Sequence, residues 1–287
     1  MLYDITHKQV KVNDIFLHVA QQGNGKKLVV LLHGWPEFWY TWRYQMPELA
    51  KEYTVIAPDL RGFNKSDKPK GIQNYKADIV ASDIAELIKQ MGFKKAFVVG
   101  HDWGGAIAWT FASIYPNMLE KLAIINCPHP KEMLKMIKSN PTQLLKSWYM
   151  FMHQLPLIPE FILGNTLPQF FKLFFRGWMH HPEHFTDKDL QAFVRAYKEP
   201  GALTGSINYY RAMMQTKPKM SVFKQKVTVP TLLIWGEDDK ALSKELTYNT
   251  QAYVNNTLEI KYIKNCSHWA QNDCPKEVTQ YLADFFK

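Results

Sequence analysis

A chain of 287 residues, 46% of them hydrophobic and without internal repeats, can bury the core of one large α/β domain, alone or with an insertion. The net charge of +9 is scattered apart from pairs such as Lys26-Lys27 and Lys94-Lys95, so no nucleic-acid stripe is expected, only solubility and a weak pull toward anionic surfaces. No apolar run approaches about eighteen residues, which argues against a membrane span.

The start, Met1-Leu2-Tyr3-Asp4-Ile5-Thr6-His7-Lys8, lacks the charged-then-apolar layout of a signal peptide, which makes a cytoplasmic chain the expectation. Cys127, Cys266 and Cys274 are odd in number and irregularly spaced, as free thiols would be. Residues 9–22 read as two strands around Asn13-Asp14, and Leu28-Val29-Val30-Leu31-Leu32 as a parallel strand buried on both faces. That run ends in the sharp loop His33-Gly34-Trp35-Pro36. Thr54-Val55-Ile56-Ala57-Pro58 is the next strand, leading into Asp59-Leu60-Arg61-Gly62. A helix then carries Val80, Ile84, Leu87, Ile88 and Met91 on one face and stops at Gly92.

Next comes Ala96-Phe97-Val98-Val99-Gly100-His101-Asp102-Trp103-Gly104-Gly105, a β-rich run, a turn and a helix start. Small residues flank a single acid, the pattern of a strand–turn–helix nucleophile elbow, here with Asp102 at the nucleophile position. A carboxylate attacks through its own oxygen and ends as an ester. The bland alternative is that Asp102 only caps the helix beginning at Trp103. A strand at Leu122-Ala123-Ile124-Ile125 follows.

Residues 131–217 show no buried strand and are rich in aromatics, with Pro156, Pro159, Pro168 and Pro182 expected to divide them into short helices. They read as a helical cap between core segments 1–130 and 218–287. Strands resume at Val229-Pro230-Thr231-Leu232-Leu233-Ile234-Trp235 and Leu258-Glu259-Ile260-Lys261-Tyr262-Ile263, and a last helix shows Val278, Tyr281, Leu282 and Phe285 on one face. Strand–helix alternation argues for a parallel sheet covered on both faces.

Glu237-Asp238-Asp239 and Ser267-His268 both follow strands, at the carboxyl ends where α/β active sites lie. His268 is the expected base and Asp239 its partner, with Asp238 second; Asn126 occupies the alternative strand end. Backbone N–H groups of Trp35 and Trp103 are the expected oxyanion donors, since Pro36 has none. There is no G-x-G-x-x-G or Walker loop, so no nucleotide cofactor is expected. His180-His181-x-x-His184 is interrupted by Pro182, and no metal is expected either.

His33-Gly34-Trp35-Pro36-Glu37, Asp59-Leu60-Arg61-Gly62, Gly100-His101-Asp102-Trp103-Gly104-Gly105, Gly236-x-x-Asp239 and Ser267-His268 together resemble the epoxide hydrolases of the α/β-hydrolase fold over nearly the whole chain. The resemblance implies a mostly parallel eight-stranded sheet with helices on both faces and an inserted cap. It also implies two cap tyrosines that bind the epoxide oxygen: Tyr149, five residues before Gln154-Leu155-Pro156, and Tyr210, in Asn208-Tyr209-Tyr210-Arg211. Alone, each tyrosine reads as packing. Substrate contacts are expected from these two and from His33, Pro36, Trp103 and Trp269. The implied reaction takes a small lipophilic epoxide and water to a vicinal diol without a cofactor, in a monomer or homodimer. Haloalkane dehalogenases, similar in fold and nucleophile, are the alternative, with Trp178 a loose second halide residue.

Overall fold

The computed structural model describes residues 4–216 and 220–287; the opening Met1-Leu2-Tyr3 and the expected boundary at 217 and 218 lie outside the described residues. The chain enters its sheet through a hairpin, β1 (Thr6–Val12) and β2 (Ile15–Gln22), pairing antiparallel across Asn13-Asp14. Asn13 sits at φ 50, a left-handed turn position that asparagine tolerates. The apolar runs β3 (Leu28–Leu32) and β4 (Thr54–Pro58) are buried at every residue.

Strands β5 (Ala96–His101), β6 (Leu119–Ile125), β7 (Thr231–Gly236) and β8 (Leu258–Ile263) complete one sheet in the order β1-β2-β4-β3-β5-β6-β7-β8. Every pairing from β4 to β8 is parallel, and only β2 runs antiparallel to its neighbours β1 and β4. Alternation along each strand divides the core in two. Val30 and Leu32 join one buried cluster, with α2 (Ala77–Gln90) and α3 (Trp103–Ile114). Val29 and Leu31 join the other, with α1 (Gln45–Leu49) and the C-terminal helix.

Between β6 and β7, the described residues form a separate layer that includes the α-helices α4 (Pro130–Ser139), α5 (Pro141–Lys146), α6 (Trp148–Met152), α7 (Ile158–Phe171), α8 (Asp187–Lys198) and α9 (Ala202–Gln215). Pro168 does not end a helix as expected; it lies inside α7 behind a kink at Thr166, where φ is −125. After α10 (Ala270–Asp273), α11 (Pro275–Phe286) buries Val278, Leu282 and Phe286. The i, i+4 stripe thus runs to Phe286, which stacks on Phe97 with ring centroids 4.8 Å apart, and Phe285 is only half-buried.

The helical layer is fastened at close approaches. A Cβ on Gly205 would stand 2.4 Å from the Gly62 carbonyl oxygen, so α9 can press on the Asp59-Leu60-Arg61-Gly62 loop only without side chains there. Beside it the Tyr209 hydroxyl donates to the Arg61 carbonyl at 2.9 Å, while Arg61 itself is buried in a fork on Asp83 at 2.5 and 2.6 Å.

Candidate active site

Asp102 follows β5 with φ 50 and ψ −119, a strained turn for a residue with a side chain. Close packing compels the small residues around it: a Cβ on Gly100 would come 2.3 Å from the Gly104 carbonyl oxygen, and one on Gly104 2.2 Å from that of Leu32. Asp102 occupies the N-cap position of α3 but makes no side-chain cap bond. Its Oδ1 accepts from the Trp35 N–H at 2.8 Å, and its Oδ2 lies 3.6 Å from His268 Nε2. The geometry therefore sets the capping alternative aside. The loop can approach because residue 34 is glycine; a Cβ there would sit 2.5 Å from that of Asp102.

His268 follows β8, and its Nδ1 donates to Asp239 Oδ2 at 2.7 Å. Asp239 follows β7 and is saturated: Oδ1 accepts from the N–H groups of Ala241 and Leu242 at 2.7 and 2.8 Å, and Oδ2 also accepts from Asn126 Nδ2 at 2.8 Å. This directs Nε2 toward Asp102. Asp238, the second choice, faces outward and pairs with His180 at 3.0 Å. Burial pulls the proton affinity of His268 down, but the carboxylates of Asp239 and Asp102 outweigh it and raise the ring to about 10. Burial pushes the Asp239 carboxyl up, and His268 more than reverses it.

Across from these groups stand Tyr149 on α6 and Tyr210 on α9, rings edge to face at 5.9 Å. With Asp102, His268, Trp35 and Pro36 they line a narrow cavity of ≈ 20 Å³, about one water molecule in size. Phe174, Trp178 and Trp269 form its apolar wall. Burial first, and then the Asp102 charge, raise both tyrosine hydroxyls, so they stay protonated donors. Two expected contacts fall elsewhere. His33 is fully buried below the loop, with Nδ1 donating to the Gly34 carbonyl and Nε2 accepting from the Leu60 N–H, because a tight loop must satisfy its own backbone. Trp103 is not among the residues lining the cavity; its ring packs edge-on against Tyr210 and Tyr209, at 5.1 and 5.6 Å, and its side chain hydrogen-bonds Tyr210.

The α/β-hydrolase-fold family matches residues 27–274. The chain belongs to the α/β-hydrolase family. This hydrolase is 40% identical to human Epoxide hydrolase 4, over 98% of this chain and 79% of that protein. It is 43% identical to the AB hydrolase superfamily protein YfhM of Bacillus subtilis (strain 168), over 97% of this chain and 96% of that one. An epoxide hydrolase of Bacillus megaterium, solved with an inhibitor, superimposes with a TM-score of 0.86 at 28% identity, covering 97% of this chain and 99% of that one.

Sequence reasoning missed the support beneath Asp102, Asp239 and His268. Glu37 and His101 form a fully buried pair at 2.7 Å. His101 Nε2 meets the His268 carbonyl at 2.9 Å, so both ring nitrogens face acceptors. Glu37 also accepts from Gly34 N–H at 2.9 Å, Thr41 Oγ1 at 2.6 Å and Gln271 Nε2 at 2.8 Å. Burial would push the Glu37 carboxyl up; His101 and these hydrogen bonds hold it down at about 2. One cluster thus joins the His33-Gly34-Trp35-Pro36 loop, the elbow and the loop that carries His268. The signal was present, since Glu37 and His101 stand inside the two strongest motifs. Asn126 holds both Asp239 and the Gly236 N–H, a role hidden by its distance in sequence.

The three histidines of His180-His181-x-x-His184 point to different partners. His180 goes to Asp238, His181 lies 3.6 Å from Glu183, and His184 Nδ1 donates to the Asp273 carbonyl. The three cysteines are free and buried.

Proposed function

We propose that this hydrolase opens epoxides to vicinal diols through a covalent ester on Asp102. The observation that carries the reading is an elbow carboxylate left uncapped, with an N–H on one oxygen, a histidine at 3.6 Å from the other, and two buried tyrosines lining the same cavity. The relatives named epoxide hydrolases support the same reaction. Residues 131–217 serve as the cap that supplies the tyrosines. The aromatic wall of Phe174, Trp178 and Trp269 suits a small lipophilic epoxide.

Tyr149 and Tyr210 hydrogen-bond the epoxide oxygen while Asp102 attacks a ring carbon from the opposite side. One C–O bond forms and one breaks. Before attack, His268 holds a proton because Asp102 and Asp239 are both charged beside it. Ester formation removes the Asp102 charge, so the ring's proton affinity falls. The proton released balances the one the new hydroxyl takes up. His268, now neutral and held by Asp239, takes a proton from water, which attacks the ester carbonyl. The N–H groups of Trp35 and Trp103 stabilise the resulting oxyanion. Collapse breaks the ester C–O bond, the departing diol oxygen takes the remaining proton of the added water, and the Asp102 carboxylate and the imidazolium are restored.

Single turnover in heavy-oxygen water tests this. The first diol should be unlabelled and the heavy oxygen should appear on Asp102; label in the first diol means direct attack by water and overturns the ester. The dehalogenase reading is favoured by Trp178 at the cavity wall, but Trp103 is not among the residues lining the cavity and its indole is engaged with Tyr210. Halide release from haloalkanes, with epoxides left intact, would select it.

A further inference from the structure

Of the large hydrophobic side chains exposed among the described residues, ten lie between 144 and 173 and four elsewhere. Leu144 on α5 is exposed, and Trp148 and Phe151, at the i, i+3 spacing of one helix face, are exposed on α6 just beyond the break at Ser147. The turn into α7 adds Leu157, 77% exposed, and α7 adds Phe161, 73% exposed. Leu157 also takes φ 63, the left-handed region where a turn ordinarily carries glycine or asparagine. Water contact and backbone conformation are therefore both unfavourable at the same leucine.

The segment around this face is net basic. Residues 131–187 hold six basic residues, Lys131, Lys135, Lys138, Lys146, Lys172 and Arg176, against the four acids Glu132, Glu160, Glu183 and Asp187. Lys135 pairs with Glu132 at 3.7 Å and Arg176 with Asp187 at 2.8 Å, so Lys146 and Lys172 are, among the described residues, the lysines nearest the apolar residues in sequence that face no acid across an ion pair. Glu160 is neutralised by Arg211 at 2.6 Å. A second copy docked by two-fold symmetry would lay this basic face on itself. An anionic lipid surface matches both properties, with apolar side chains entering the acyl boundary and lysines meeting headgroups.

We infer that the face formed by α5, α6 and the start of α7 docks peripherally on anionic membranes. Leu157 and Phe161 are the inserting residues, and the flanking lysines are the electrostatic contact. The same α6 carries Tyr149, so the helix that docks is also a wall of the cavity. The docking itself does not depend on which bond the enzyme cleaves.

The test is flotation of the full chain with vesicles of phosphatidylcholine alone and with added phosphatidylserine. Wild type should float with the anionic vesicles and lose binding as salt rises. Leu157→Ser with Phe161→Ser should weaken partition by about tenfold or more at an unchanged melting temperature. Phe16→Ser, at an exposed phenylalanine on β2, should bind as wild type does. Wild type that floats with neither lipid, or a double variant that floats undiminished, overturns the inference. So does a dimer in sedimentation velocity that the double variant splits while vesicles stay unbound, which makes the face a contact between copies.

Discussion

At the strand ends, Asp102, Asp239 and His268 are held by short charged hydrogen bonds, backed by the buried Glu37–His101 pair. Across the cavity, Tyr149 and Tyr210 are held by ring packing and a few tethers. Gln154 donates to the Tyr210 carbonyl at 3.1 Å, and Arg211 reaches the carbonyls of His153 and Leu155 at 3.1 and 2.7 Å, so the two tyrosine-bearing segments are tied together. In the first region the carboxylates and the imidazole are each held by hydrogen bonds, as a charge-handling site in low dielectric requires. The second rests on dispersion and shape, which tolerate small displacements. On the proposed mechanism, ester hydrolysis belongs to the first region, and formation of the ester needs both.

The largest expected effect breaks the strand-end half. Asp102→Ala should lower turnover by roughly 10⁴-fold or more with the melting temperature little changed, since the side chain faces the cavity rather than the core. His268→Gln should instead let the ester form and stall, visible by intact-mass spectrometry as an adduct on the peptide containing Asp102. If the adduct never accumulates, His268 is needed before alkylation and the division of labour is wrong.

The next effect tests the support beneath that half. Glu37→Gln leaves His101 facing a neutral group in a fully buried site, and should cost about 3–5 kcal/mol of stability by chemical denaturation. A loss below about 1 kcal/mol would mean the pair is already neutral.

The helical half comes third. Tyr149→Phe and Tyr210→Phe each remove one hydroxyl and keep the ring, so each should slow ester formation, by up to about 2.7–4 kcal/mol in barrier. The double change should slow it far more, because two donors share one developing alkoxide. Rapid-quench measurement of the adduct separates this from hydrolysis of a preformed ester, which should be nearly unchanged. An unaltered alkylation rate in the double variant would make both tyrosines mere lining.

The smallest effect is a pH dependence of stability. The His268 proton affinity is raised from 6.5 to about 10 in the folded chain, so its contribution is complete below pH 6.5 and is lost as pH rises through 10. Wild type should lose about 2 kcal/mol more than His268→Gln between pH 7 and pH 9, by denaturant titration at each pH. Parallel curves would mean that the carboxylates do not hold a proton on His268.

The eight strands, their carboxyl-end loops and the positions of Asp102, Asp239 and His268 could be read from the chain because their signals are local. Five buried residues in a row mark β3, and Gly100 and Gly104 mark a turn whose backbones nearly touch. The sequence already favours Asp239 over Asp238, and the structure supplies the reason: Asp239 accepts from Ala241, Leu242 and Asn126, while Asp238 is exposed and pairs with His180. His33 and Trp103 belong to strong motifs, yet only packing shows that neither is among the residues lining the cavity. The Glu37–His101 pair spans 64 residues of sequence, and the Gly62–Gly205 approach joins the core to a helix of the inserted layer. Short-range sterics and burial periodicity are written into neighbouring residues. Long-range pairing of charges and the seating of one layer on another arise only when the sheet brings distant strand ends together.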